Sequence, residues 1–484
     1  MSEILNLSAT ALSTSIHRRE VSCTEVLEAC LHRIDRLNPI VNAIVAMPDR
    51  EALHGLARER DAQLARGESL GALHGFPQAP KDIAPAAGMV TTNGSPIFRG
   101  QVTPTDSASN ARLRTAGAIF VGRTNSPEFG LGAHTYNPVY GITRNAFDPT
   151  RSAGGSSGGA GVALALRMLP VADGSDMMGS LRTPAAFNNV FGFRTSPGCV
   201  PAGPGDEVFF QSFSVVGPMA RSVSDLAMLL SVQAGFDARV PLTRRQDNPS
   251  VFAQALDADL RGTRIGWLGD LGGHLTMEPG LLELDRQSLA HFEAIGCRVD
   301  AVLPRFDLTR LWQAWIDLRS FTVSGNYAAH YHDPARRALL KPEAVWEIER
   351  GLALTGPEVF EAARVRSAWY QELGRLFQEF DFLVMPTTQV FPFKAELHWP
   401  DRVADRTMDT YHRWMESVVP ATMAGLPTLG APAGFSASGL PAGIQIIGPA
   451  QADLAVLKIG HAYDLASGHA RVKSPLLSEN AEQP

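Results

Sequence analysis

The chain has 484 residues, 45% of them hydrophobic, with 43 Lys and Arg against 49 Asp and Glu for a formal charge of −6. That balance gives no support to a nucleic-acid-binding surface, and every apolar stretch is broken by Gly, Pro or charge before the roughly 18 residues of a membrane span. Four scattered cysteines (Cys23, Cys30, Cys199 and Cys297) without metal-ligand spacing, and a start with no basic, apolar leader, lead us to expect a reduced, cytoplasmic protein.

In chain order, Ser22-Cys23-Thr24-Glu25 forms a capping box, and Val26, Leu27, Cys30, Leu31, Ile34 and Leu37 then recur at helical spacing. Asn38-Pro39 is expected to stop that helix, and Val41 to Met47 to form a strand. The run from Asp49 to Arg66 reads as a solvated helix. Gly75-Phe76-Pro77-Gln78-Ala79-Pro80-Lys81-Asp82 holds a lysine in a proline-stiffened segment. Burial there depresses a lysine's pKa and frees it to act as a base. A short helix over Ala111 to Gly117 and a strand over Ala118 to Val121 lead into Gly122-Arg123-Thr124-Asn125, whose polar groups sit at a strand end, where open sheets form crevices.

Gly154 to Gly159 is a six-residue glycine-serine run that passes straight into the helix former Ala160–Leu169. A linker is the ordinary use of such a run, but this placement reads as a fixed loop at a helix N-terminus, where N–H groups favour negative charge. A strand over Val171–Asp173 follows, then the turn Asp176-Met177-Met178-Gly179-Ser180-Leu181-Arg182. Ser156 and Ser180 thus lie in two backbone-rich turns, where unobstructed N–H groups can form an oxyanion hole. No G-x-S-x-G elbow surrounds Ser180, no histidine has motif support beside it, and His74 reads as structural. The glycine runs fit neither a dinucleotide fold nor a P-loop, so no cofactor or metal is expected.

Phe209, Phe210 and Phe213 are expected in the core first, with a substrate pocket as the other placement. Ser222 to Asp225 opens a helix over Leu226 to Ala234, and residues 236–262 form a polar crossing. A strand over Arg264 to Leu268, a helix over Glu278 to Ile295 and a strand over Cys297 to Val302 have the spacing of a continuing sheet. Helices dominate Leu308 to Phe380. Further strands are expected at Phe382–Pro386, Pro427–Pro432 and Pro441–Gly448. Pro392 to Thr410 reads as a charged loop suited to surface or lid duty. A helix follows over Asp453–Ala466, and Lys473–Pro484 reads as a frayed polar tail.

The chain resembles the amidase signature family through G-x-P-x-x-x-K-D at Gly75–Asp82, G-[KR]-T-N-x-x-E-F at Gly122–Phe129 and GGSSGG at Gly154–Gly159. That resemblance spans nearly the whole chain. It implies an α/β fold, three layers (α/β/α) around a large mixed β-sheet, as one domain over residues 1–484 with a helical elaboration at about 305–415. It also implies a Ser–cis-Ser–Lys triad: Ser180 as nucleophile, Ser156 as bridge and Lys81 as base. Ser157, Thr124 and Asn125 become supporting residues, and Asp176 and Arg182 a pair that ties down the nucleophile turn. Phe209 and Phe210 fall in the region that lines the substrate pocket in relatives. The family's G-x-D-x-G-G-S-x-R has Met178 in place of one glycine. An oxyanion hole from the amides of Met177, Met178 and Gly179 survives that change, but a positive φ at Met178 would be strained and its thioether would narrow or line the pocket.

The expected function is hydrolysis of a carboxylic amide, a linear aryl or apolar small-molecule amide, through a Ser180 acyl-enzyme. Esters and carbamates are the chemical alternatives on the same site. A glutamine-dependent tRNA amidotransferase A-type subunit is the alternative of another class, and a non-catalytic binding protein a third. The expected partner is the small-molecule substrate, with no nucleic acid and no membrane; a homodimer is compatible.

Overall fold

The computed structural model describes residues 3–210, 212–244 and 248–478. Its centre is an eight-stranded sheet of β1 (Ala172–Asp176), β2 (Phe191–Arg194), β3 (Val215–Ala220), β4 (Arg264–Trp267), β5 (Arg298–Ala301), β6 (Phe382–Pro386), β7 (Thr428–Phe435) and β8 (Pro441–Ile447). Across the sheet the order is β5-β4-β6-β8-β7-β2-β3-β1. β4 runs parallel to β5 and β6; the other neighbours are antiparallel. The mixed sheet and α/β class expected from the sequence are therefore present. Strands β7 and β8 are buried along almost their whole length, which requires cover on both faces.

One face carries α4 (Val223–Gln233) and α8 (Asp453–Ser467), whose Leu226, Leu230, Leu457 and Tyr463 share a core with Phe191, Phe193 and Ile444. The other carries α2 (Gly158–Ala165) and α3 (Arg182–Asn188), packed with the apolar side of α1 (Cys23–Val41). Of the helices α5 (Leu308–His332), α6 (Pro342–Ala353) and α7 (Gly356–Leu376), α5 and α7 share a core around Trp312, Trp315 and Trp369, while α6 packs Ala344 and Ile348 with Val323 of α5. No helix among the described residues is long and apolar enough to cross a membrane.

Several expectations are corrected. The capping box of Ser22 and Glu25 opens α1 as expected, but the helix runs through Pro39 to Val41 and ends on Asn42 in the left-handed region. The carbonyl that Pro39 cannot serve belongs to the exposed Asp35, so water can satisfy it. The strand then shrinks to Ile44–Val45, paired with Arg123–Thr124. The helix expected over Glu278–Ile295 is two, Leu281–Gln287 and Ala290–Ala294. Between them Ser288 Oγ donates to the Asp285 carbonyl, a side-chain bond that competes with the helix ladder. Residues 392–410 are more packed than a lid: Phe393, Val403 and Met408 are buried. The tail is anchored by Ser474 Oγ, which donates to the Ala146 carbonyl, and by Leu476 and Leu477 against the core; 479–484 lie outside the described residues.

Candidate active site

The sequence of Gly75–Asp82 dictates how Lys81 is held. Pro77–Gln78 pairs in parallel with Ile119–Phe120, and Pro80, which has no N–H of its own, accepts from the Thr124 amide at 3.2 Å. The Asp82 amide in turn donates to the Thr124 carbonyl at 3.1 Å. These bonds clamp the lysine backbone and leave the side chain buried. Lys81 Nζ lies 2.7 Å from Ser156 Oγ and 3.2 Å from Ser175 Oγ. Burial pushes its pKa down to about 7, against an upward pull from Asp176 and Asp173.

The glycine-serine run is a fixed loop rather than a linker. The Gly155–Ser156 peptide bond is cis. A side chain at Gly159 would put its Cβ 2.4 Å from the Asn125 amide nitrogen, so only glycine lets α2 begin against the 122–125 turn. Asn125 completes that junction: its carbonyl accepts from Gly159, and its side chain donates to Thr143 and accepts from Asn137. Ser157 joins the two serine turns, its amide donating to the Ser180 carbonyl at 3.1 Å.

The turn that carries Ser180 is built around Asp176. Its carboxylate accepts from the amides of Gly179 and Leu181 at 2.9 and 3.2 Å. Arg182 grips it with Nε and Nη2 at 3.0 and 2.9 Å, and Arg194 Nη1 reaches it at 3.3 Å. Burial alone would push Asp176 up, but the two guanidinium groups outweigh it and hold the carboxyl far below the usual range. The remaining Arg182 donors reach Val418 O, Gln445 Oε1 and Thr422 Oγ1. All five guanidinium N–H groups are therefore matched. Replacing Arg182 by methionine is expected to cost about 3–5 kcal/mol of stability, because a buried carboxylate loses its main partner. The check is the urea midpoint at unchanged slope; a loss under about 1 kcal/mol would place the pair among the energetically neutral ones.

Three expectations about this turn are corrected. The positive φ falls on Gly179 (79°), not on Met178, so the methionine carries no left-handed strain. Nor does Met178 line the pocket: its side chain is buried with Phe187, Trp315 and Trp414. Met177 lines it instead, and Arg319 Nη1 lies 3.7 Å from the Met177 sulfur. The Gly179 amide, expected in the oxyanion hole, is occupied by Asp176. The amides of Met177, Met178 and Ser180 have no acceptor among the described residues.

Ser156 and Ser180 open onto one cavity of about 180 Å³, lined also by Ile83, Asn93, Phe129, Ser175, Met177, Thr322 and Tyr327. None of the described residues lining it is charged. Thr322 also lines a larger apolar cavity of about 660 Å³, shared with Phe210, Phe213, Leu318, Phe321 and Val359. Thr124 and Asn125 line neither: Thr124 acts through its backbone, and Asn125 through both its backbone and its side chain. Phe209 and Phe210 are not core: they are 70% and 77% exposed, lifted out where Glu207 accepts both of their amides. Phe210 borders the apolar cavity, Phe209 does not, and only Phe213 is buried.

Sequence reading misses Ser175, Arg194 and Arg319. Ser175 stands inside the segment that carries Ser180, one residue from Asp176, and its position there is the signal that could have found it. Arg194 and Arg319 come from β2 and α5, and nothing local ties them to residues 176–177. Among the described residues no group of three or more His, Cys, Asp or Glu side chains is placed to hold a metal ion.

The family described as Amidase matches residues 25–457. The chain is 34% identical to the A subunit of the glutamyl-tRNA(Gln) amidotransferase of Acidothermus cellulolyticus, over 96% of this chain and 95% of the relative. It is 31% identical to the protein of the same name from Thermosynechococcus vestitus, over 94% and 96%. Among solved structures it is similar to a bacterial aryl acylamidase of the amidase signature enzymes, with a TM-score of 0.89 and 27% identity, covering 96% of this chain and 98% of that one.

Proposed function

The chain belongs to the amidase family, serine-based hydrolases of amide bonds, and from that premise we propose that it cleaves neutral amides bearing an aryl or other apolar group through an acyl-enzyme on Ser180. The observation that carries this reading is the Lys81–Ser156 hydrogen bond beside a Ser180-lined cavity without a charged wall. Neutral Lys81 accepts the Ser156 proton while Ser156 accepts that of Ser180. Ser180 Oγ then attacks the carbonyl carbon, and the amides of Met177, Met178 and Ser180 receive the oxyanion. The proton returns along the same path to the leaving nitrogen, the amine departs, and water hydrolyses the acyl-enzyme. The adjoining apolar cavity takes the apolar group of the substrate.

The names of the curated relatives favour a second reading, a glutamine-hydrolysing component of an amidotransferase. Free glutamine brings an ammonium and a carboxylate, and burying either without a partner is costly. The serine cavity itself has no charged residue in its lining, while Lys81 and Asp173 line the cavity beside it, so turnover separates the two readings. Purified protein should be assayed on a p-nitroanilide, benzamide, a phenyl carbamate, a p-nitrophenyl ester and glutamine. The aryl amides are expected to exceed glutamine in kcat/KM by roughly 100-fold or more. Glutamine as the preferred substrate, or activity only with a co-purifying partner, would transfer the protein to the second reading.

A further inference from the structure

A third cavity, of about 170 Å³, adjoins the serine cavity and shares Ile83, Ser175 and Ser214 with it. Lys81 lines it, together with Asp173, Ser109 and Asn110. Asp173 comes from β1, three residues before Asp176, and is buried. Its Oδ1 and the Oδ1 of Asn110 are both buried without a hydrogen-bond partner among the described residues. Buried acceptors are seldom left so. Most of the cavity wall is apolar, but Ser109, Asn110, Asp173 and Ser175 line one part of it, and a water held there would find the two to four polar partners it needs.

Resting on the Lys81–Ser156–Ser180 reading above, we propose that Asp173 is a positioning residue that stabilises the protonated form of Lys81 through water held in this cavity. When Ser180 attacks, its proton moves to Ser156 and that of Ser156 to Lys81 Nζ. A positive charge thereby appears on a buried nitrogen, balanced overall by the oxyanion. Asp173 offsets that charge until the proton leaves for the departing nitrogen, and Asp173 itself gains and loses nothing. The two other carboxylates nearby are already paired. Asp176 pairs with Arg182 and Arg194. Asp82 accepts from the amide and hydroxyl of Thr92, lies 3.9 Å from Arg123 Nε and faces Tyr140. Arg123 donates to the Lys81 carbonyl and is the cation facing Asp173. Burial pushes Asp173 up to about 6 against the pull of Arg123, so its carboxylate is ionised where a lysine titrating near 7 does its work.

The test is the pH profile of kcat/KM for wild type and Asp173→Asn on an aryl amide, with Asp173→Ser replacing the amide variant should that one not fold. The acid limb is expected to move to lower pH by roughly one unit, with a several-fold lower plateau in kcat, because a lysine whose ammonium is less stabilised is a weaker base. Coupling is reciprocal: in Lys81→Met, the Asp173 carboxyl, followed by ¹³C NMR, should titrate higher by the same amount. A folded variant whose acid limb coincides with wild type, or an Asp173 titration unmoved by Lys81→Met, overturns the proposal. Full activity in Lys81→Met would instead overturn the reading on which it rests.

Discussion

Ser180→Ala is expected to lower kcat on any amide the wild type cleaves by roughly 10⁴- to 10⁶-fold while leaving KM within a few-fold. The hydroxyl makes no hydrogen bond to the described residues, so its loss removes the attacking atom without stranding a polar partner. The frame of the turn stays, because Asp176, Arg182 and the Ser157 amide all hold Ser180 through its backbone neighbours or its carbonyl. Stability should therefore shift by less than about 0.5 kcal/mol, which separates loss of chemistry from loss of fold. Ser156→Ala removes the relay rather than the nucleophile. The double variant should be no worse than Ser180→Ala alone, since residues acting as one unit are far from additive. Burst kinetics on a p-nitrophenyl ester supply an independent check: the acyl-enzyme burst should vanish with Ser180 and persist, slowed, in Ser156→Ala. A burst of wild-type size from Ser180→Ala would remove Ser180 from the mechanism.

How much of this site can be read from the chain follows from how local each device is. The Ser22–Glu25 box, the glycine-serine loop and the Lys81 segment depend on neighbours within a few residues, so their chemistry is written in short stretches. The class of the fold comes through the family resemblance, and the strands expected at Phe382–Pro386, Pro427–Pro432 and Pro441–Gly448 fall in the central sheet. Met178 is misread because its side-chain direction is set at a distance: Trp315 and Trp414, more than a hundred residues away, build the core into which it turns. Phe209 and Phe210 fail differently, since an aromatic pair reads as core wherever it lies, and only the Glu207 turn reveals that these are held outside. The family resemblance assigns the Gly179 amide to the oxyanion hole. The competing acceptor, Asp176, is visible three residues earlier, but its rotamer is not.

The acid limb of the pH profile offers the second large effect. Lys81 is buried, and the cost of desolvating an ammonium lowers its pKa to about 7. Only the neutral amine can accept the Ser156 proton, so the sign is fixed: activity is lost as pH falls through about 7 and reaches a plateau above it. Each unit below that point should cost close to tenfold in kcat/KM. A lysine serving only as a fixed positive charge would give the opposite limb, with activity falling as pH rises. Lys81→Met should lose about 10²- to 10⁴-fold at the plateau, the usual span of a general base, and with it the limb near 7. Lys81→Arg sharpens the distinction, because a guanidinium keeps the charge and cannot give up its proton at these pH values. If Arg restores activity, charge alone was required and the base assignment falls. If Arg is as inactive as Met while both fold, the proton-accepting nitrogen is what Gly75–Asp82 was built to hold.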